Sequence, residues 1–492
     1  MHLGTRKVLD RSFAGLGIFS VVLMSAALLV LLGPIFVRGL GAFVFRATVE
    51  HHRFILEHFG RGDRRQVQGR IAAARQSREP LYDMIARHED ELWQSFRAIA
   101  DRHKAEAAVY EMIESREPDL PRALRAARYS LTEDGRHGRD ALDALEQRWE
   151  VFEELRERVR VLLGPLPGEQ FALLRKQYGQ TRWGRAQVKL HDLLYDYDYD
   201  YSDPNQMGRK VYVPRVEQFE GTAVEPLFAY AEDNLHAMLL PRWTFYWRFL
   251  FDESFDAHFF GGIWPAVLGT LYLTVGTMLI AGPTGIIAAA YLAEYARQTW
   301  RVSLIRTCIS TLAGVPSIVF GLFGLAFFVN TLHVSDSRSV LAGALTLAVL
   351  VLPTVIRASE EAIRAVPQTY KEAALSLGAT KWRTTFTVVL PAALPGVLTS
   401  IIISMGRAAG ETAPIIFTAA VSLGKPLKLW QTLSQPTPAL PWNIYNLATE
   451  HEAVDEIRHV QYGMVLTLIV MVLALNVTAI ILRARISRKL RG

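Results

Sequence analysis

The chain has 492 residues, of which 50% are hydrophobic and 21% are charged, and its formal net charge is +6. This length allows two or three domains, and a mean hydropathy of +0.15 is high for a soluble protein. The basic residues are concentrated beside apolar runs, as in membrane proteins, so the positive charge does not indicate nucleic-acid binding. The single cysteine, Cys308, excludes an intramolecular disulfide and a cysteine-based metal site.

The N-terminal segment, residues 1–45, contains an apolar run at 13–37 that is long enough to cross a bilayer. A secretory signal peptide is the alternative interpretation. The run is too long for a signal core, however, and no clear small-x-small cleavage site follows it. Because Arg6, Lys7 and Arg11 precede the run, we expect a retained membrane helix with a cytoplasmic N-terminus.

Residues 46–256 form a polar insertion in which apolar side chains recur at three- and four-residue steps, the spacing of amphipathic helices. This pattern predicts a long helical hairpin. Pro80, Pro118 and Pro121 interrupt the repeats and argue against one continuous rod. The periodic apolar residues are Leu92, Phe96, Ile99, Leu142, Leu145, Trp149, Phe152, Leu155, Val159 and Leu162.

Two patches of the insertion contain groups that could bind a metal. The run from Tyr195 to Tyr201 alternates tyrosine and aspartate, and three carboxylates on one face of an extended segment could hold a cation. The glycine and later glutamate of an EF-hand are missing, so a solvated strand or loop is favoured. His51, His52 and His58 lie close in sequence, but nothing in the pattern fixes a metal geometry. No metal site is therefore predicted.

Five further apolar segments bring the predicted number of spans to six. With a cytoplasmic N-terminus, every loop predicted to lie inside is basic, whereas the loop before the last span is acidic, which agrees with the positive-inside rule. The insertion is then extracytoplasmic, and periplasmic in a Gram-negative cell. The five segments are residues 263–292, 304–330, 340–357, 392–420 and 463–482, and the acidic loop contains Glu450, Glu452, Asp455 and Glu456.

Glycine and proline interrupt two of these spans, at Gly282-Pro283 and from Gly314 through Pro316 to Ser317. Backbone groups freed by such breaks need neighbouring helices or a water-filled cavity as partners, so these positions are candidates for lining a transport pathway. Small-residue notches for helix packing explain the same residues equally well. Ser317 is included among the candidate pathway residues.

Between the fourth and fifth spans, residues 357–391 form a charged segment that is predicted to contain two short amphipathic helices separated at Gly378. Pro367 suits the first turn of the first helix, Gly378 suits the position after its end, and Thr380 can cap the second helix. The segment is therefore predicted to leave the membrane and return as a polar hairpin.

The order Glu372-Ala373-Ala374, followed by Gly378 and later by Val388, Leu390 and Pro391, resembles the EAA loop of bacterial ABC importer permeases. In that family the loop forms a coupling helix that docks in a cleft of the cytoplasmic ATPase. Small alanines allow close approach of another backbone, the glutamate supplies a fixed charge, and the glycine permits a sharp turn. The residues assigned to ATPase coupling are Lys371, Glu372, Ala373, Ala374 and Gly378.

The fifth span carries a charged pair, Arg407 and Glu411, which lie one helical turn apart. A charge such as that of arginine costs about 2.5–3.5 kcal/mol at the centre of an inserted helix, so a partner or a cavity is expected. In one interpretation Arg407 meets a dianionic substrate while Glu411 holds its guanidinium. In the other the pair clamps helices together without contacting substrate. The arginine fork matches phosphate-like oxygens and favours the first; Thr412 is included with the pair as a candidate pathway residue.

The segment from Gly406 to Pro414 resembles the signature segment of the PstA-type permeases of the bacterial phosphate ABC importer. The resemblance covers the C-terminal part of the chain, and the insertion departs from it. It implies an all-α membrane protein with six transmembrane helices of the importer-permease type, with 257–492 as the permease core. The helix-rich extracytoplasmic insertion 46–256 is predicted from its periodicity and from the topology. Similar residues also occur at Gly262, Ile263, Pro265, Tyr291, Glu294, Tyr295, Gly314 to Val319, Gly321, Leu322, Phe417 to Ala419 and in the loop 427–445.

The resemblance further implies import of inorganic phosphate across the bacterial inner membrane, with both termini cytoplasmic. The implied partners are a second homologous permease, a dimeric ATP-binding cassette ATPase and a periplasmic phosphate-binding protein. The chain has no G-x-x-x-x-G-K-[ST] phosphate loop, so we expect ATP and Mg²⁺ on the ATPase and neither cofactor nor catalytic residue on this chain. A permease for another oxyanion or a phosphorylated solute, and a non-transporting scaffold or sensor, are the alternatives.

Overall fold

The structure is a computed structural model that describes residues 3–103, 105–117, 119–130, 136–200, 209–421, 423–451 and 453–491. The chain divides into two compact units. We call Met1–Phe43 together with Tyr246–Gly492 the permease unit, and Val44–Phe245 the insertion unit. Pro118, Tyr201 and Glu452, which entered the sequence predictions, lie outside the described residues.

Helix α1 (Leu3–Leu40) belongs to the permease unit and contains the first predicted span. None of its most apolar window is buried within the chain. An apolar helix of this length with exposed sides is compatible with a lipid environment and not with water.

In the part of the chain that the structure describes, the insertion unit contains helices and two short antiparallel ribbons. Strand β1 (Val44–Ala47) pairs with β4 (Arg242–Phe245), and β2 (Tyr195–Asp200) pairs with β3 (Arg209–Pro214). The expectation of an all-α chain is therefore wrong in detail, although helices dominate. The helices are α2 (Val49–Phe59), α3 (Arg64–Arg102), α4 (Ala107–Ser115), α5 (Leu120–Ser130), α6 (Arg136–Leu163), α7 (Trp183–Leu194) and α8 (Glu225–Leu239).

One large apolar core holds the insertion unit together, and α3 and α6 supply much of it. The periodic apolar residues predicted from the sequence are buried in this core, with Ile99 partly buried. The predicted interruption at Pro80 is wrong, because α3 continues through it. Pro121 lies in the first turn of α5, where a missing backbone N–H costs no helical hydrogen bond.

The two candidate metal patches have structural roles. The run from Tyr195 forms β2, which confirms a strand, and Asp196 pairs with Arg215 at 3.2 Å. The His51 ring packs edge-on against Phe45, and His58 stacks on Phe54. No group of three potential ligands is arranged for a metal among the described residues.

The remaining elements belong to the permease unit. Strands β5 (Ser254–Phe255) and β6 (Phe260–Gly261) form a short hairpin, and π-helical segments occupy Tyr291–Tyr295, Leu325–Thr331 and Thr385–Val389. The helices are α9 (Trp264–Ala290), α10 (Trp300–Leu312), α11 (Ser317–Gly324), α12 (Val340–Arg364), α13 (Gln368–Ser376), α14 (Lys381–Thr384), α15 (Leu390–Gly410), α16 (Ala413–Thr418), α17 (Leu440–Thr449) and α18 (Val454–Arg491).

Five helical runs in the described residues are long and apolar enough to cross a membrane, and a sixth results if α10 and the run beginning with α11 are counted as one broken span. That pair is bent by 101° at Ala313 to Pro316, which confirms the interruption predicted from Gly314 to Ser317 within the span 304–330. Pro316 lacks a backbone N–H and disfavours helical geometry at Val315. In contrast, α9 continues through Pro283, and the break predicted there is wrong.

Helix α12 occupies the centre of the permease unit, with 67% of its most apolar window buried, compared with 11% for α18. Small residues allow its neighbours to approach. A methyl group added at Gly285 of α9 would lie 2.6 Å from the Val355 side chain, and one at Gly324 of α11 would lie 2.1 Å from Thr346 Oγ1. This close packing places the broken span directly against the central helix.

Candidate functional site

The charged segment between α12 and α15 forms the two short helices predicted from the sequence. Pro367 immediately precedes α13, and Gly378 follows its end with φ of +79°. Glycine adopts this left-handed conformation without steric cost. The Thr380 hydroxyl then accepts a hydrogen bond from the Arg383 N–H at 3.3 Å and caps α14. The predicted separation at Gly378 is confirmed.

This segment, which we call the coupling segment, presents an apolar surface on a polar background. None of the residues of α13 is buried, and Glu372 and Ala373 are exposed while Ala374 is partly covered. Leu377 is 89% exposed. A group of exposed large apolar side chains in a charged loop is typical of a protein-docking surface. Its other members are Tyr370, Leu375 and Trp382.

Lys371 differs from the other candidate coupling residues because it faces its own chain. Its Nζ lies 2.5 Å from Glu294 Oε1, and the two side chains are only 14% and 11% exposed. Glu294 belongs to the π-helical segment that extends α9. On the other side of Gly378, the Lys381 ammonium lies 5.0 Å from the centre of the Tyr295 ring. The coupling segment therefore holds the end of α9 at two points.

The same π-helical segment is tied to the first half of the broken span. Arg306 of α10 donates from Nη2 to the Leu292 carbonyl at 2.8 Å and from Nε to Glu360 Oε1 at 3.0 Å. Glu360 lies in α12, is nearly buried, and also accepts from Arg364 at 2.7 Å. Arg306 thus joins the adjacent ends of α9, α10 and α12.

Sequence reasoning did not assign Lys371, Glu294, Arg306 and Glu360 to one cluster. The available signal was the occurrence of acids within predicted inner loops that are otherwise basic, since a buried acid needs a cation. The pairing itself joins residues far apart in the chain, and local spacing cannot indicate it.

The charged pair of the fifth span is formed as predicted, but its surroundings differ. Arg407 Nε donates to Glu411 Oε1 at 3.3 Å. Helix α15 ends at Gly410, and Glu411 has an extended backbone, so the pair lies at a helix end and the predicted continuous span 392–420 is wrong. The side chains of Arg407 and Glu411 are 38% and 20% exposed. The terminal amino groups of Arg407 make no hydrogen bond to the described residues and can donate hydrogen bonds to an anion.

The helices that follow the two breaks pack directly against each other. A methyl group added at Gly321 of α11 would lie 2.9 Å from both the Phe417 ring and Pro414 Cα of α16. Ser317 is the first residue of α11, and Thr412 immediately precedes α16. Phe320 and Ala408 also share one apolar cluster with residues of α9 and α12. The candidate pathway residues Ser317 and Thr412 therefore lie at the N-terminal ends of two short helices that pack against each other.

Two polar groups near the charged pair lack partners. Ser404, one turn before Arg407, is fully buried, and its hydroxyl has no hydrogen-bond partner among the described residues. The same is true of Oδ1 of Asn476 in α18, whose amide faces Gly406 of α15. Unpaired polar atoms in a membrane-spanning bundle indicate contact with water or a polar ligand. Asn476, a lone amide in an apolar run, was the available sequence signal.

The arrangement thus combines a cation with free donors, two short helices, α11 and α16, in contact, and an exposed apolar segment connected to α9 and, through it, to α10. Comparison with known proteins indicates a membrane transport subunit. A family model described as the binding-protein-dependent transport system inner membrane component matches residues 281–492. The chain is 36% identical over 239 residues to the "Probable ABC transporter permease protein YqgI" of Bacillus subtilis, a match that covers 47% of this chain and 80% of the relative.

Two phosphate transport system permeases are similar to the same degree. PstA 1 of Mycobacterium tuberculosis is 36% identical over 250 residues, covering 51% of this chain and 77% of the relative. PstA of Yersinia pestis is 36% identical over 226 residues, covering 46% and 73%. The chain belongs to the PstA-type ABC permeases. It is a membrane-spanning transport subunit of the inner membrane.

Among solved structures, an inward-facing form of the MetNI methionine ABC transporter is similar to this PstA-type permease, with a TM-score of 0.35 and 17% identity. That similarity covers 46% of this chain and 94% of the other. The curated relatives likewise match only about half of the present chain.

Proposed function

We propose that this permease imports inorganic phosphate. The observation that carries the proposal is Arg407, a cation with free terminal donors near the end of α15, beside the helix α16 that packs on α11. A guanidinium offers parallel N–H groups that match the oxygens of a phosphate dianion. The relatives from Mycobacterium tuberculosis and Yersinia pestis are named as phosphate transport system permease proteins, which supports the same substrate.

In this proposal the substrate passes the charged pair by alternating access. Glu411 holds the guanidinium of Arg407 through Nε and leaves the terminal amino groups for phosphate oxygens. The buried hydroxyl of Ser404 and the buried amide oxygen of Asn476, neither of which has a partner among the described residues, add polar atoms beside this pair. Ser317 and Thr412, at the starts of α11 and α16, line the route on the two packed short helices.

The proposed assembly contains a second homologous permease, a dimer of ATP-binding cassette ATPases and a periplasmic phosphate-binding protein. The ATPase, which would carry ATP and Mg²⁺, docks on the coupling segment through Glu372, Ala373, Ala374 and Gly378. The exposed apolar side chains of that segment support this placement. Both termini are then cytoplasmic and the insertion unit is periplasmic, in line with the basic inner loops.

The described contacts supply a route from the ATPase to the anion. Movement of α13 acts on Glu294 through Lys371. The π-helical segment moves α10 through the bond from Arg306 to the Leu292 carbonyl. Beyond the 101° bend, α11 packs on α16, which begins immediately after the charged pair. Rigid elements that share buried polar contacts move together, so closure of the ATPase dimer changes access to Arg407.

The test is ATP-driven uptake by the complete complex in proteoliposomes, with labelled phosphate and competing sulfate or a phosphorylated small molecule. Phosphate is expected to be taken up preferentially, and sulfate to compete poorly. Preferential uptake of another oxyanion would overturn the substrate assignment. Purification of the chain from membranes without an ATPase subunit would instead favour a scaffold or sensor.

A further inference from the structure

The ribbon formed by β1 and β4 in the insertion unit has apolar side chains on both faces. Phe45 on one face is buried. On the opposite face, Val44 pairs with Phe245 and Arg46 pairs with Trp243. Trp243 and Phe245 are 73% and 67% exposed. The outer face of an antiparallel ribbon that faces water is normally polar, so these exposed aromatic side chains need another explanation.

The position of the ribbon in the chain suggests what covers its outer face. Only three residues separate Leu40, the last residue of α1, from Val44 at the start of β1. Helix α1 is an apolar span with exposed sides. Because an extended residue advances the chain by about 3.5 Å, covalent continuity keeps β1 within reach of the membrane surface.

The composition around β4 is that of a membrane–water interface. Residues 242–251 read R-W-T-F-Y-W-R-F-L-F, and the aromatic side chains of Trp247 and Phe251 are also exposed. Tryptophan and tyrosine concentrate at the headgroup level, where an apolar ring can meet lipid while its polar atoms meet water. The two strands contain two arginines, Arg46 and Arg242, and no acidic residue. Their charge is complementary to lipid phosphates.

We propose that the outer face of this ribbon, comprising Val44, Arg46, Trp243 and Phe245, is embedded in the phospholipid headgroup layer of the bilayer that α1 crosses. The aromatic rings then occupy the interface, and Arg46, the arginine on this face, contacts lipid phosphates. Phospholipid is the partner, and the ribbon is fastened to the membrane surface. The proposal does not depend on the identity of the transported anion.

The single native cysteine makes a site-directed test practical. In a Cys308→Ser background, Trp243→Cys and Phe245→Cys are labelled with an environment-sensitive fluorophore, and the complete complex is reconstituted in liposomes. Quenching by lipids that carry a nitroxide near the headgroup is compared with quenching by aqueous iodide. Tyr212→Cys is the matched control, because Tyr212 is an exposed aromatic residue on the other ribbon.

The labels at 243 and 245 should be quenched by the shallow nitroxide lipid more than by iodide, and the label at 212 should show the reverse. Equal iodide quenching at 243 and 212 would place the face in water and overturn the proposal. Protection from both quenchers would show that protein covers the face, which also overturns it.

A second measurement uses the unmodified chain and so does not depend on whether a variant folds. A phospholipid with a photoactivatable diazirine near the headgroup is incorporated in the liposomes, and adducts are mapped by mass spectrometry. Lipid adducts are expected on Arg242–Phe245 and not on Arg209–Pro214. Absence of adducts on β4, when the membrane-spanning helices are labelled, would contradict the proposal.

Discussion

Two ion pairs lie in the two regions to which we assign functions in the permease unit, and they differ in burial and in what they join. Lys371 and Glu294 are nearly buried and connect the coupling segment to the end of α9. Arg407 and Glu411 are more exposed and lie four residues apart at one helix end. Removing one partner of a buried pair costs about 3–5 kcal/mol because the other charge stays buried. Exposed pairs four residues apart contribute only about 0.3–0.5 kcal/mol.

The difference indicates two uses of the same chemistry. A buried pair between elements resists separation and is suited to transmit movement. A weaker, accessible pair can exchange one partner for an incoming anion, because its cation is not fully occupied. On this account the coupling side of the permease unit is rigid and the pathway side is open to substitution by substrate.

The largest effect is expected at the pathway pair. Arg407→Ala removes the cation proposed to bind phosphate, and a loss of about 1.5–3 kcal/mol in hydrogen bonds to a charged group is expected to lower the apparent phosphate affinity about 10- to 100-fold. Phosphate uptake by proteoliposomes measures this. Arg458→Ala is the control, since Arg458 forms a comparable exposed pair with Asp455 on α18. Unchanged uptake in Arg407→Ala would show that the pair only clamps the helix end.

The next largest effect is expected on the coupling side. Arg306→Ala breaks the bond to the Leu292 carbonyl and weakens the compensation of buried Glu360, so ATP hydrolysis should continue with several-fold less phosphate moved. Uptake and hydrolysis are measured together on the assembled complex. Arg301→Ala, on the exposed face of the same helix, should behave like the parent chain. Equal coupling in both variants would remove α10 from the route.

A smaller effect is expected where α11 packs against α16. A methyl group at Gly321 contacts α16 at 2.9 Å, and overpacking of this kind costs about 1–3 kcal/mol. Gly321→Ala should therefore lower thermal stability and slow uptake without releasing the ATPase. Gly33→Ala in α1 is the matched control, because a methyl group added there meets nothing within 4 Å. If both variants behave alike, contact between α11 and α16 is not important for transport.

The smallest effect is expected in the insertion unit, whose stability should depend on pH independently of both ion pairs. Burial lowers the pKa of His51 well below 6.5, and the positive charges of His52 and Arg182 add to the shift. The folded state keeps His51 neutral while the unfolded state binds a proton below pH 6.5. Stability of the insertion unit should therefore fall, by up to about 1.4 kcal/mol per pH unit, as pH decreases below 6.5, and stay constant above it.

Hydrogen exchange of α2 amides in the assembled complex, compared at pH 7.5 and 5.5, measures this effect. Exchange should be faster at the lower pH in the parent chain, and His51→Gln should reduce the difference. His52 and His88 also have lowered pKa values because of burial, so a part of the difference should remain in the variant. Slower exchange at pH 5.5 would contradict the sign.

Local signals predicted the coupling segment and the charged pair from the sequence. Gly378 and Thr380 determine the backbone only within one turn of their own positions. Arg407 and Glu411, four residues apart, form their pair although the helix ends between them. The salt bridge of Lys371 to Glu294 joins residues 77 positions apart, which no local pattern encodes. The four-residue strands β1 and β4 are too short for a periodicity to be recognised.

The breaks in the spans were predicted less well, and the reason is physical. Hydropathy measures how apolar a segment is and does not respond to its direction, so the break before Ser317 was predicted from Gly314 and Pro316 but its angle of 101° was not. At Pro283 the predicted break does not form. Helix α9 packs closely on α12 at Gly285, and neighbouring helices can hold a helix together at a proline.

The most direct test of the account is the number of phosphate ions moved per ATP hydrolysed when the buried pair is reversed. Lys371→Glu and Glu294→Lys each place like charges 2.5 Å apart in the parent geometry and should lower this ratio while the ATPase stays bound. The double variant restores opposite charges and should recover much of the ratio. Single variants with an unchanged ratio, or a double variant no better than either, would contradict the claim that this pair couples the ATPase to the anion pathway.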